Sequence, residues 1–64
     1  MREVELWYRL DKTLGSSYSK VWAEQVVLAE LDERTVMEAL GANVPCKTIW
    51  RAVWTHLELP RSEY

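Results

Sequence analysis

The segment of residues 35–53, TVMEALGANVPCKTIWRAV, constrains the fold more than any other part of the chain. Its first half predicts a short helix, because Thr35 and Glu38 have the spacing of a capping box, in which each side chain bonds the other residue's backbone N–H. Gly41 or Asn43 can adopt the left-handed conformation that ends such a helix. Small and apolar residues then follow the packing pattern of a helix-turn-helix, at Ala39, Val44, Ile49 and Ala52.

Helical periodicity covers most of the remaining chain, with apolar residues recurring at three- and four-residue steps. Gly15 separates the first two helices, and Ser16 or Ser17 suits the N-cap of the second. Pro45 suits the first turn of the last helix, where its missing N–H costs nothing. Residues 32–34 predict a turn. We therefore predict a single all-α domain over residues 1–64, a compact bundle with a tail at 58–64 and helices near Val4–Leu14, Ser17–Leu31, Val36–Leu40 and Cys46–Leu57.

The 64 residues include four tryptophans and no phenylalanine, so tryptophan supplies most of the aromatic side-chain surface. A tryptophan can bury roughly 150–250 Å², which helps a domain too small for a large core. Glu5 and Arg9 have the spacing of a favourable ion pair on the wet side of the first helix. Two apolar faces are predicted, one at Val4, Trp7, Leu10 and Leu14 and one at Tyr18, Val21, Trp22 and Gln25. We expect the core to include Trp7, Trp22, Leu40 and Val53.

Charge, cysteine content and hydropathy exclude several classes of protein. Cys46 is the only cysteine, so the chain forms no internal disulfide. The chain opens without the pattern of a signal peptide, and no apolar run reaches the length of a membrane span. A net charge of -2 lacks the basic footprint of proteins that bind nucleic acid or anionic membranes. These features predict a cytoplasmic protein with no membrane partner.

Candidate catalytic and metal-binding residues are few. Cys46 and His56 fall ten positions apart on one predicted helix, which separates them by ~15 Å of helical rise, too far for a nucleophile and its base. One histidine and one cysteine do not complete a closed zinc site. The acidic group Glu30, Asp32 and Glu33 fits better as negative charge placed before a helix than as a cation site. We predict no enzymatic activity, no cofactor and no metal.

The chain resembles a small actinobacterial family of about this length, known only as a domain of unknown function. The resemblance covers nearly the whole chain and rests on Trp7, Leu14-Gly15, Leu28, Leu31, Arg34-Thr35, Glu38-Ala39-Leu40, Ile49-Trp50-Arg51-Ala52 and Leu59-Pro60. Family members usually carry Asp-Pro where this chain has Pro45-Cys46, so the aspartate cap of the last helix is missing here. The resemblance implies a cytoplasmic all-helical protein whose gene lies near those for RecA and RecX, and it supplies no catalytic or binding residues.

Two functions remain open on the residues alone. The aromatic surplus favours a protein-interaction module that binds another protein or a second copy of itself, since tryptophan, tyrosine and arginine anchor interfaces. Its candidate interface residues are Trp50, Trp54 and Arg51. The alternative is a DNA-binding helix-turn-helix module that makes contacts through Lys47, Thr48 and Arg51, although these residues also suit an ordinary solvated helix face. Trp50 is a poor reader of base edges, and packing of the first helix over it would close the reading face.

Overall fold

The computed structural model describes residues 1–64 and is built from four α-helices and two short 3₁₀ helices. It contains no β-sheet; one isolated antiparallel bridge pairs Leu28 with Arg34. The predicted all-α fold is therefore confirmed. The α-helices are α1 (Glu3–Leu14), α2 (Ser16–Gln25), α3 (Val36–Gly41) and α4 (Cys46–Leu57), and the 3₁₀ helices span Ala29–Leu31 and Arg61–Glu63.

The second helix is the one element whose extent the sequence prediction got wrong. It ends at Gln25 and does not continue to Leu31. Val26 and Leu28 have extended backbone conformations, in keeping with the low helix preference of the β-branched pair Val26-Val27. The Leu28 N–H donates to the Arg34 carbonyl at 3.0 Å. The apolar run after Gln25 is thus an extended segment and a 3₁₀ helix, which bury Leu28 and Leu31.

The helix-turn-helix-like pair forms as its local signals predict. The Glu38 N–H donates to Thr35 Oγ1 at 3.1 Å and the Thr35 N–H donates to Glu38 Oε1 at 2.9 Å, which completes the capping box. Asn43, with φ of 63°, is the left-handed residue of the turn, while Gly41 lies inside α3. Pro45 is the N-cap of α4 and not part of its first turn.

The buried face of α1 differs from the predicted stripe. Leu6 and Leu10 are completely buried, whereas Val4 is 73% exposed and Trp7 is only half-buried. Leu6 lies outside the predicted stripe and belongs to the centre of the buried face. The helix therefore faces the core through a neighbouring set of residues, and this rotation leaves Val4 in solvent.

The buried face of α2 also differs from the prediction. Ser19 and Trp22 are buried, while Tyr18 and Val21 are exposed. Ser19 can be buried because its hydroxyl donates to Asp11 Oδ1 on α1, which satisfies the polar group. The N-cap of α2 is Gly15, with φ of 92°, and no serine side chain caps this helix. The core comprises Leu6, Leu10, Trp22, Ala23, Leu28, Leu31, Val36, Ala39, Ile49, Trp50, Ala52 and Val53; Trp7 and Leu40 pack against it half-buried.

Candidate functional site

The C-terminal tail, residues 58–64, is held against α4 by hydrogen bonds from two tryptophans. Nε1 of Trp54 donates to the Pro60 carbonyl at 2.8 Å, and Nε1 of Trp50 donates to the Glu63 carbonyl at 2.8 Å. The two indoles lie one turn apart on α4, and their acceptors lie three residues apart in the tail. The tail therefore runs along α4 and covers part of its surface.

Trp50 lies beneath this tail and beneath α1. The Arg9 guanidinium on α1 stacks over the Trp50 ring, with Cζ 5.5 Å from the ring centre. Nη1 of Arg9 also donates to the Tyr64 carbonyl at 3.3 Å, and Nη2 forms the predicted ion pair with Glu5 at 3.4 Å. Trp50 is completely buried, so this candidate interface residue presents no side-chain surface to a partner. The expectation that α1 covers it is confirmed, with the tail as a second cover.

The other two candidate interface residues meet at the end of the tail. The Trp54 and Tyr64 rings are 4.8 Å apart in an edge-to-face arrangement, a favourable geometry for aromatic pairs. The Arg51 guanidinium lies 4.7 Å from the centre of the Tyr64 ring. A surface cavity of about 350 Å³ opens beside them, lined by Trp54, Arg61 and Tyr64. The structure thus joins Trp54 and Arg51 through Tyr64, a residue that the sequence prediction did not include.

The candidate DNA contacts lie together on the outer face of α4. Lys47, Thr48 and Arg51 are all exposed, and the single ion pair of the molecule is the one between Arg9 and Glu5. The three residues are therefore accessible to solvent. The stacking of Arg51 on Tyr64 nevertheless directs this guanidinium towards the tail.

A second exposed apolar feature lies on α1 and was missed by the sequence prediction. Val4 is 73% and Tyr8 is 67% exposed, and the two side chains lie one turn apart; we call this pair the α1 ridge. The signal was present in the sequence, because Val4 and Tyr8 form a second apolar stripe beside the buried one. The ridge is the most exposed large apolar feature of the chain.

Two grooves border α1, and Tyr8 of the ridge lines one of them. The tail groove, with a volume of about 340 Å³, is lined by Glu5, Tyr8, Arg9, Lys12, Ser62, Glu63 and Tyr64. The α2 groove, of about 240 Å³, is lined by Trp7, Lys20, Glu24 and Met37. Tyr64 borders both the tail groove and the Trp54 cavity, so the α1 ridge and the Arg51–Tyr64–Trp54 cluster belong to one continuous surface.

The residues considered for catalysis and metal binding remain dispersed. Cys46 is a half-buried free thiol at the start of α4, while His56, near its end, lies edge-to-face against Trp22 with 6.0 Å between ring centres. No three histidine, cysteine, aspartate or glutamate side chains converge in a geometry suited to a metal ion. None of the helices combines the length and the apolar character needed to cross a membrane.

These features define a small all-helical protein with a helix-turn-helix-like pair of helices and a tail hydrogen-bonded to its last helix. The chain belongs to a family described as protein of unknown function (DUF3046), whose model matches residues 1–62. No curated protein and no solved structure was found to match it. The predicted membership in a family of unknown function is thereby confirmed, while the actinobacterial origin and the RecA and RecX gene neighbourhood stay predictions.

Proposed function

We propose that this domain is a protein-interaction module that binds its partner through the α1 ridge and the adjoining Tyr64. The observation that carries the proposal is the exposure of Val4 and Tyr8, one turn apart on a helix whose leucines are fully buried. Single apolar residues on a surface are ordinary, but a contiguous apolar patch marks an interaction site. Tyr64, 49% exposed, extends the patch across the tail groove.

Arg51 and Trp54 form the edge of the proposed interface. Both contact Tyr64, and interfaces typically surround an apolar centre with a polar rim that contains arginine. Trp50 contributes indirectly, because its indole N–H holds the tail that carries Tyr64. In this proposal the tryptophans of α4 position the surface, and the tyrosines make the central contacts.

The proposal includes a cytoplasmic location and a non-enzymatic role. A single cysteine, Cys46, supports the location, because small secreted domains usually depend on several disulfides. The positions of Cys46 and His56 near opposite ends of α4 support the non-enzymatic role, since a nucleophile needs a base within hydrogen-bond reach.

Site-specific photo-crosslinking tests the interaction. A photoreactive phenylalanine analogue replaces Tyr8 on the ridge or, as a matched control, the exposed Tyr18 on α2. We expect a specific protein adduct from position 8 that is absent from position 18. The captured protein is then purified, and its Kd for the Val4→Ser/Tyr8→Ser double variant is compared with that for the parent chain. Loss of an interface anchor costs about 2 kcal/mol or more, a rise in Kd of about thirtyfold. Equal capture at both positions, or an unchanged Kd, would refute the proposal.

DNA binding is the second candidate function, favoured by the common exposure of Lys47, Thr48 and Arg51 on the helix after the turn. Its weakness is electrostatic: DNA affinity comes largely from cations that displace counterions, and that face offers two cations on a chain of net charge -2. A DNA titration at two salt concentrations separates the candidates. Submicromolar binding that weakens steeply with salt and disappears in Lys47→Ala/Arg51→Ala would favour DNA; weak binding that is unchanged in this variant favours the protein partner.

A further inference from the structure

We infer that the partner bound by the α1 ridge is a second copy of this chain, with the two α1 helices antiparallel about a two-fold axis near Tyr8. The inference rests on the proposed function of the ridge as an interface. It begins from shape, because the tail groove runs beside the ridge and Tyr8 lines it. Helices pack when the ridge of one enters the groove of the other. A two-fold axis places each ridge against a groove of its partner, so one surface serves both copies.

The charges along α1 select the antiparallel arrangement. Glu5 and Lys12 line the same groove and lie about 10.5 Å apart along the helix at 1.5 Å per residue. An axis near Tyr8, between them, brings Glu5 of each copy towards Lys12 of the other and forms two equivalent ion pairs. A parallel arrangement would place Glu5 against Glu5 and Lys12 against Lys12, which is repulsive. The charges of Glu5 and Lys12 on two copies are thus complementary only when the two α1 helices are antiparallel.

The apolar contacts agree with this direction. Tyr8 of one copy lies across the axis from Tyr8 of the other, where two aromatic rings can stack offset or edge to face. Val4 of each copy lies opposite the Lys12 stem of its partner, and lysine methylenes readily cover apolar surface. The tail groove, which extends from Tyr8 to Tyr64, gives the partner's phenol ring a place to insert. The pairing therefore covers both residues of the ridge.

Two of the other charged groups along this face have partners within the chain. Arg9 is held by Glu5 and by the Tyr64 carbonyl, and Asp11 accepts the Ser19 hydroxyl. Lys12 has no ion-pair partner in the chain, and Glu5 remains half-exposed beside Arg9. Lys12, the free side of Glu5 and the Glu63 carboxylate, which lines the tail groove without an ion pair, are the charges available to a second copy.

Sedimentation equilibrium of the full chain over a concentration series tests the inference. We expect a monomer–dimer equilibrium for the parent chain and a monomer for Val4→Ser/Tyr8→Ser. Reversal of one charge, in Glu5→Lys or Lys12→Glu, turns two attractive contacts into repulsive ones and should raise the dimer Kd about tenfold or more. The Glu5→Lys/Lys12→Glu double variant restores both pairs in the antiparallel arrangement and should dimerise close to the parent.

Thermal melting of each variant controls for folding, and Lys12→Glu leaves the Glu5–Arg9 pair intact. A parent chain that stays monomeric at every concentration overturns the inference, as does a dimer that survives Val4→Ser/Tyr8→Ser or is unaffected by single charge reversal. The proposed function fails separately. If the chain is monomeric while position 8 crosslinks to a different protein and the ridge variant loses it, the ridge is an interface for another partner.

Discussion

Replacement of Trp50 by phenylalanine tests how the tail is held to the helical domain. The substitution keeps an aromatic ring in the core but removes the N–H that donates to the Glu63 carbonyl at 2.8 Å. A net hydrogen bond contributes about 0.5–1.5 kcal/mol, and a buried acceptor left without a partner costs about 1–3 kcal/mol. The smaller ring also leaves unfilled volume. We expect Trp50→Phe to lower the free energy of unfolding by about 2–3 kcal/mol.

Trp54→Phe is the matched control, because it removes the same kind of bond at a more exposed position. We expect a loss of about 0.5–1.5 kcal/mol there, since water can replace the lost donor. Urea unfolding followed by circular dichroism at the helical band measures both, without relying on tryptophan fluorescence. For a domain of this size 1 kcal/mol shifts Tm by about 4–8 °C, so the two variants should melt at distinct temperatures.

A double-mutant cycle with a chain shortened to end at Leu59 isolates the hydrogen bond of Trp50. In the shortened chain the acceptor is gone, so Trp50→Phe should cost at least 1 kcal/mol less than in the full chain, roughly the value of one hydrogen bond. An equal cost in both backgrounds, or a Trp50→Phe loss no larger than that of Trp54→Phe, would refute the role of this indole as the buried anchor of the tail.

Three further substitutions test other features of the fold. Trp22→Ala should lower the free energy of unfolding by about 3–5 kcal/mol, a large part of the roughly 3–10 kcal/mol expected for a domain of this length. Circular dichroism should therefore show a largely unfolded chain. The control is Val21→Ala at the neighbouring exposed position, which should melt at the temperature of the parent. Thr35→Ala removes the acceptor for the Glu38 N–H and should cost about 1 kcal/mol in urea unfolding, whereas Thr35→Ser should not. Glu58 has a left-handed backbone conformation, with φ of 52°, and Glu58→Gly should relieve strain of roughly 1–2 kcal/mol, while the added flexibility of glycine in the unfolded chain costs about 0.5–1 kcal/mol. The midpoint of urea unfolding should therefore rise slightly, and a fall would argue against strain at Glu58.

Features with local causes were predictable from the sequence. The capping box of Thr35 and Glu38 depends on two side chains three positions apart, and the left-handed turn at Asn43 depends on one residue. The end of α2 was not predictable in this way. The run after Gln25 is apolar on all sides, which fits a buried helix as well as a buried extended segment. The Leu28–Arg34 pairing decides between them, and it involves residues that no helical pattern links.

The orientation of α1 shows a second limit of periodicity. The helix carries two adjacent apolar stripes, one with Leu6 and Leu10 and the other with Val4 and Tyr8. Periodicity identifies an amphipathic helix but does not tell which of two stripes faces the core. The contacts of α1 with α2 and α4 make that choice. The exposed stripe, which carries the proposed interface, therefore became recognisable only once the packing was known.

Trp50 and Trp54 were considered as interface residues because the chain carries a surplus of aromatic side chains. In the structure the tail completes the burial of Trp50. The indole N–H groups of Trp50 and Trp54 donate to backbone carbonyls of the tail, and every residue carries such a carbonyl. Such a bond leaves no signature in the tail's side chains. Its consequence reaches the surface, because the same bonds fix the tail that places Tyr64 between Arg51 and the tail groove. In this chain the burial of one tryptophan and the exposure of the proposed interface depend on the same hydrogen bonds.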